Sequence, residues 1–291
     1  MPVPQRWYKM SESPRSPQKR CWRPITLSLL VGPLVLLLGN LAACGETATV
    51  SSSLGGTSQT TPTASGGMVV SASGIVTATK GGFINTTMST YTDINYGLVL
   101  GNQSSQLAAI GVEVTVTFTD GHGHTSLPDA TTLTGIPAHG TFYFSGSSST
   151  LSFSSSSPST WTPQQMKVEI GVQRTSSANL ILPTVSGLSI AGSLLPKLTG
   201  TFNNPYAGQA GEEWDGDSGV LYVLYYDERG QFVGDDELDL DSLGVLVTPG
   251  GTGQFSLTNP PPSAATSTKA SIDPCGGLGG AGLSTTCVAL Q

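Results

Sequence analysis

The stretch Ile110-Gly111-Val112-Glu113-Val114-Thr115-Val116-Thr117-Phe118-Thr119, running into Asp120-Gly121-His122-Gly123, decides the fold class. Strict alternation places Val112, Val114, Val116 and Phe118 on one face and Glu113, Thr115, Thr117 and Thr119 on the other. That is the pattern of a strand buried on one side only. Asp-Gly followed by a second glycine is a turn signal, so a hairpin is expected. Outward from this strand lie further short β-rich runs: Met68 to Thr77, Ile94 to Leu100, Thr131 to Ile136, Thr141 to Ser145, Leu151 to Ser154 and Met166 to Gln173. Gly, Pro, Ser and Asn cut them apart, helix signals are few, and the fold class is all-β.

The second half of the chain repeats the first. Gly219 to Asp227 ends in Asp227-Glu228-Arg229-Gly230, as Val112 to Asp120 ends in Asp120-Gly121-His122-Gly123. Pro249, two glycines and Phe255 echo Pro137, Gly140 and Phe142, and Lys269 to Ile272 echoes Lys167 to Ile170. The offsets are 107, 112, 113 and 102, a drift of loop size, so two tandem copies are expected. About seven short strands in about 105 residues is the count of an immunoglobulin-like sandwich. The expected layout is two tandem immunoglobulin-like antiparallel sandwiches, one over 68–174 and one over 186–291, with the boundary near Thr175 to Ser186. A strand ending in aromatic-x-Asp, then a turn glycine, resembles the FxLYD-type immunoglobulin-like domain of bacterial surface lipoproteins. The matching residues are Phe118-Thr119-Asp120 with Gly123, and Tyr225-Tyr226-Asp227 with Gly230. Neither copy carries the family's Leu-Tyr-Asp, and the likeness covers about 60 residues per copy. The resemblance implies binding or spacing modules without catalytic residues.

The N-terminal region supplies an address. Arg6, Lys9, Arg15, Lys19, Arg20 and Arg23 stand against Glu12 alone, and no charge follows from Pro24 to Gly45. A basic flank, an apolar core over Leu27 to Leu38 and a small-residue ending are the three parts of a signal peptide, placed at 1–43. An uncharged run of 22 residues is also long enough for an uncleaved span. The ending, Leu41-Ala42-Ala43-Cys44, looks like the bacterial lipobox. That resemblance implies cleavage before Cys44 and lipid attachment at Cys44, hence a lipid-anchored protein on the extracytoplasmic side of the cell membrane. Residues 44–67, rich in Ser, Thr and Gly, cannot bury enough surface to order themselves and read as a tether with a reach of roughly 25 Å.

The whole chain carries 12 basic and 19 acidic residues, and loss of 1–43 removes 6 and 1 of them, leaving a net charge of −12. That balance excludes nucleic acid and direct docking on anionic lipid, both of which need basic patches. Of the four cysteines, Cys21 leaves with the signal and Cys44 is the lipid site. Cys275 and Cys287 remain, an even pair in an exported chain, most simply a disulfide that closes a C-terminal loop; a two-cysteine metal site is the alternative.

Three local patterns carry a chemical reading. Gly216-Asp217-Ser218-Gly219 copies the surroundings of a chymotrypsin-like nucleophile, but Val220 replaces the following glycine and no Ala-Ala-His-Cys occurs. His139, 79 residues upstream, falls in the other repeat, so a turn leading into the Val220 strand is expected there and no enzyme. His122-Gly123-His124 sets two imidazoles in a hairpin turn, where they could share a divalent metal given a third ligand from His139 or Asp120. Between Glu212 and Asp241 stand 11 carboxylates and one base, Arg229. Glu212, Glu213, Asp215 and Asp217 form a Gly-containing loop whose oxygens could wrap calcium, although EF-hand spacing is absent. Asp235 to Asp241 alternates with Leu238 and Leu240 and reads as a charge-protected edge strand. A solvated acidic face accounts for both runs without a cofactor. The function classes left are a non-catalytic binding or structural module, a calcium-dependent adhesion or sensing module, and, third, a secreted hydrolase. A protein or polysaccharide partner could dock on a sheet face or on the strand bearing Tyr222, Tyr225 and Tyr226, which equally suit a core.

Overall fold

The computed structural model describes residues 49–51, 63–64, 67–84, 87–149, 162–192, 195–205, 219–243 and 250–275. They form β1 (Thr49–Ser51), β2 (Thr63–Ala64), β3 (Met68–Ile84), β4 (Thr87–Asn102), β5 (Ala108–Asp120), β6 (Asp129–Ile136) and β7 (Thr141–Ser149). Then come β8 (Pro163–Ser176), β9 (Thr184–Ala191), β10 (Lys197–Asn203), β11 (Val220–Tyr226), β12 (Phe232–Asp239), β13 (Thr252–Ser256) and β14 (Ser267–Asp273). A 3-10 turn over Leu240–Leu243 follows β12. The chain is all-β among the described residues, as its alternation predicts.

Four sheets result, with strand orders β1-β3-β4-β7, β2-β8-β5-β6, β13-β10-β9 and β12-β11-β14. With β1 and β2 set aside, one plan appears twice. The first, second and fifth strands of each half make one sheet (β3, β4, β7 and β9, β10, β13), and the third, fourth and sixth make the other (β5, β6, β8 and β11, β12, β14). Even the register recurs. Thr117 pairs with Lys167 and Val114 with Thr131; at an offset of 107 along the central strand, Leu224 pairs with Lys269 and Leu221 with Leu238. No described strand of 49–176 pairs with one of 184–273. The strand pairing changes over between β8, which ends at Ser176, and β9, which starts at Thr184.

Several elements differ from the sequence expectation. Strands β3 and β4 run well past their apolar cores, because backbone pairing continues through polar residues once the ribbon is in register. Strands β9 and β10 escaped the reading: between Ser186 and Ser189 the pairing with β10 shifts register, and Gly187 there takes a positive φ of 61°. A bulge of that kind breaks the period of two on which strand recognition depends. Within the 44–67 tether, β1 pairs with β3, and β2 pairs in parallel with β8. Open sheet edges accept such segments through backbone groups alone, without apolar side chains. The expected strand Leu151 to Ser154 lies outside the described residues.

The β-sandwich cores follow from the alternation. Ile94, Tyr96, Leu98 and Leu100 of β4 meet Val112, Val114, Val116 and Phe118 of β5 in one cluster, with Phe142 and Phe144 of β7. Leu198, Phe202, Leu221, Val223, Tyr225, Phe255 and Ile272 make the second. Strand β11 serves both, for Val220 and Tyr222 point the other way and join the first cluster. Tyr222 packs on Phe142 and Phe144 at ring-centroid distances of 5.9 and 5.1 Å. Gly74 and Gly97 sit where a Cβ would fall 2.5 and 2.6 Å from Phe232 atoms, so two facing glycines make room for that ring. Asp273, 1% exposed, accepts the N–H and hydroxyl of Thr134 and the N–H of Cys275. Tyr143 donates its N–H to Ser271 Oγ at 2.9 Å. The described residues within 46–291 accordingly form one compact unit.

Candidate metal centre

The alternating strand β5 delivers Asp120 to its end, where the chain must reverse. Asp120 N–H donates to His124 O at 3.0 Å and Gly123 N–H to Asp120 O at 3.2 Å, with Gly123 at a φ of 84° that favours glycine. The carboxylate closes the turn from inside: Oδ1 accepts the N–H groups of His122 and His124, both at 2.8 Å. Its second oxygen faces two rings, with His124 Nδ1 at 2.8 Å and His122 Nδ1 at 3.7 Å. The Asp120 side chain is 6% exposed, whereas the His122 and His124 side chains are 84% and 61% exposed. Burial pushes this carboxyl up, but the His124 ring and the N–H groups of His124 and His122 outweigh it and take it to about 2. One ligand atom from each of the three residues lies within 4.8 Å of the others. They form the one such trio among the described residues.

Of the two residues named as a third ligand, the structure brings Asp120 to the His122/His124 pair and does not bring His139. His139 lies in the turn after β6, the opposite end of that strand from the hairpin. It is the one described non-glycine residue with positive φ, 55°, and its N–H bonds Ser104 O. The turn Pro137 to Gly140 needs that conformation to close.

The second half builds the same hairpin without the rings. Asp227 Oδ1 accepts the N–H groups of Arg229 and Gln231 at 2.9 and 2.8 Å, Asp227 N–H reaches Gln231 O at 2.9 Å, and Gly230 N–H reaches Asp227 O at 3.0 Å. The aspartate is the turn's requirement in both copies; the imidazoles are an addition in one.

The remaining candidates fall elsewhere. Cys44, Cys287, the acidic loop Glu212, Glu213, Asp215 and Asp217, and Ser218 lie outside the described residues. Cys275 is buried. Tyr222 and Tyr225 are core residues, 2% and 0% exposed, so they form no docking surface; only Tyr226 is partly accessible. Burial beside carboxylates pushes both phenols well up, and Tyr225 donates to Asp236 Oδ2 at 2.7 Å. β12 is an edge strand, as its charges suggest, with Glu237 and Asp239 exposed. Asp235 breaks that pattern: it turns toward the first half, its Oδ1 has no hydrogen-bond partner, and burial followed by the charges of Asp236 and Glu237 raises it to about 8. The sequence placed Asp235 in the charged edge run but not its half-burial, which comes from residues distant in the chain such as Ser145. Among the described residues no helix is long and apolar enough to cross a membrane. The chain matches no protein-family model and no curated protein.

Proposed function

We propose that this chain is a lipid-anchored cell-envelope protein, held to the membrane through Cys44 and displaying two tandem immunoglobulin-like sandwiches as a non-catalytic binding or structural module. The observation that carries the module reading is the repetition of one six-strand plan, in register, in both halves. Pairing of the third strand with both the fourth and the sixth, opposite a sheet of the first, second and fifth, is an arrangement that immunoglobulin-like sandwiches use. The anchor rests on Leu41-Ala42-Ala43-Cys44 at the end of an uncharged segment, and Cys275 with Cys287 as a disulfide suits an exported chain. With the anchor supplying membrane affinity, an acidic surface has no need to dock on lipid.

Growth of cells expressing the chain with labelled palmitate tests the anchor. Label and membrane recovery are expected for the wild type and neither for Cys44→Ala. A wild-type chain that stays unlabelled, or a Cys44→Ala chain that labels equally, refutes this reading.

A further inference from the structure

We propose that Asp120, His122 and His124 bind a divalent transition-metal ion at the tip of the β5–β6 hairpin. The donor set is one carboxylate oxygen and two imidazole nitrogens, which suits borderline ions such as Zn(II), Cu(II) and Ni(II) and disfavours calcium, which takes oxygen ligands. Donors at 2.0–2.2 Å around a tetrahedral ion stand roughly 3.4 Å apart. The spacings of Asp120 Oδ2 to the two Nδ1 atoms, 2.8 and 3.7 Å, bracket that value.

Three features set this trio apart from polar loop residues. The carboxylate is already oriented by two backbone N–H groups on its other oxygen, so Oδ2 is held toward the rings. The two histidine rings lie on the same side, 6.1 Å apart and 34° from parallel. The hairpin of the second half keeps every backbone bond with Arg229 and Gln231 at the corresponding positions, so the turn itself does not require imidazole at 122 or 124. On binding, the ion takes the place of the direct 2.8 Å contact between His124 Nδ1 and Asp120 Oδ2. Both rings then carry their hydrogen on Nε2, the nitrogen left for solvent or a second-shell acceptor. Three protein donors leave a fourth position for water or for a donor from another molecule.

The test is a titration of Zn(II) alone into the full chain, purified in detergent micelles without a polyhistidine tag, alongside the visible spectrum of the Co(II) form. One ion per chain, a micromolar Kd and tetrahedral Co(II) bands are expected. His122→Arg and His124→Gln copy the residues of the second hairpin, so the fold survives, as circular dichroism will check. Each is expected to weaken binding by roughly tenfold or more, the pair to abolish it, and His139→Ala to leave it unchanged. No stoichiometric uptake by the wild type, or equal uptake by the His122→Arg/His124→Gln chain, overturns the proposal.

Discussion

Strands β5 and β11 occupy the same place in two copies of one plan, yet they meet opposite surroundings. In β5, Val112 to Phe118 is buried at every second residue, while Glu113 is exposed and Thr115 and Thr117 are half-accessible. In β11, every residue from Val220 to Tyr225 is buried. The register against the flanking strands is shared, so backbone pairing cannot account for the difference. What differs is the neighbour on the second face: β11 meets Phe142 and Phe144 of the first half, whereas the outer face of β5 meets solvent. The composition follows, with Glu and Thr where water is the neighbour and Tyr and Leu where a sheet is. A strand's sequence thus records how many of its faces are covered as well as its secondary structure.

Paired substitutions at equivalent positions break this comparison most directly. Tyr222→Ala is expected to cost about 3–5 kcal/mol, by analogy with large aromatic truncations in cores. Thr115→Ala, its counterpart at an offset of 107, is expected within about 0.5 kcal/mol of the wild type. Urea unfolding of the two variants measures both, and similar costs would mean that the second face of β11 is not a core.

Asp235 sharpens the same point through pH. Its carboxyl is raised to about 8 from an ordinary value near 3.8, so ionisation favours the unfolded chain. Below pH 4 both states hold the proton and there is no penalty. The penalty grows from about pH 4 to pH 8, and stability from this group falls over that window. Asp236 and Glu237, also raised by burial, act in the same direction. Asp235→Asn is expected to gain a few kcal/mol at pH 8 and almost nothing at pH 4. Parallel unfolding curves for wild type and variant across that range would remove the half-buried carboxylate from the account.

Gly97→Ala probes the fit of Phe232 between the halves. An added Cβ 2.6 Å from that ring must displace it, at an expected cost of about 1–3 kcal/mol. An unchanged denaturation midpoint would show that the ring is free to move aside. The smallest effect on stability is expected at the hairpins. Arg229→His with Gln231→His should add a second bound Zn(II) per chain while changing stability by less than about 0.5 kcal/mol. A stoichiometry that stays at one would mean that backbone equivalence of the two turns does not extend to ligand geometry.

Much of this was legible in advance. The half-buried strand β5, its turn at Asp120, the repeat at an offset of 107 and the edge position of β12 all follow from period, turn chemistry and charge. The His122/His124 pair could be named from its spacing, but the choice between Asp120 and His139 could not, because it requires knowing that His139 lies beyond the far end of β6 from the hairpin. Strand β9 was hidden by the bulge at Gly187. The sequence offers no reason for glycine at 74 and 97 inside two strands; the reason is the Phe232 ring packed above them.

The sequence by itself determined the all-β class and the turns, because these depend on neighbours two to four residues away and on backbone preferences local to Gly, Pro and Asp. Only the tertiary structure decided that Tyr222 and Tyr225 are core, that Asp235 is half-buried with an unpartnered Oδ1, and that Asp120 joins the two histidines. Each of those outcomes depends on which surface or chain end comes to lie alongside, and burial, unlike periodicity, is a property of the partner as much as of the residue.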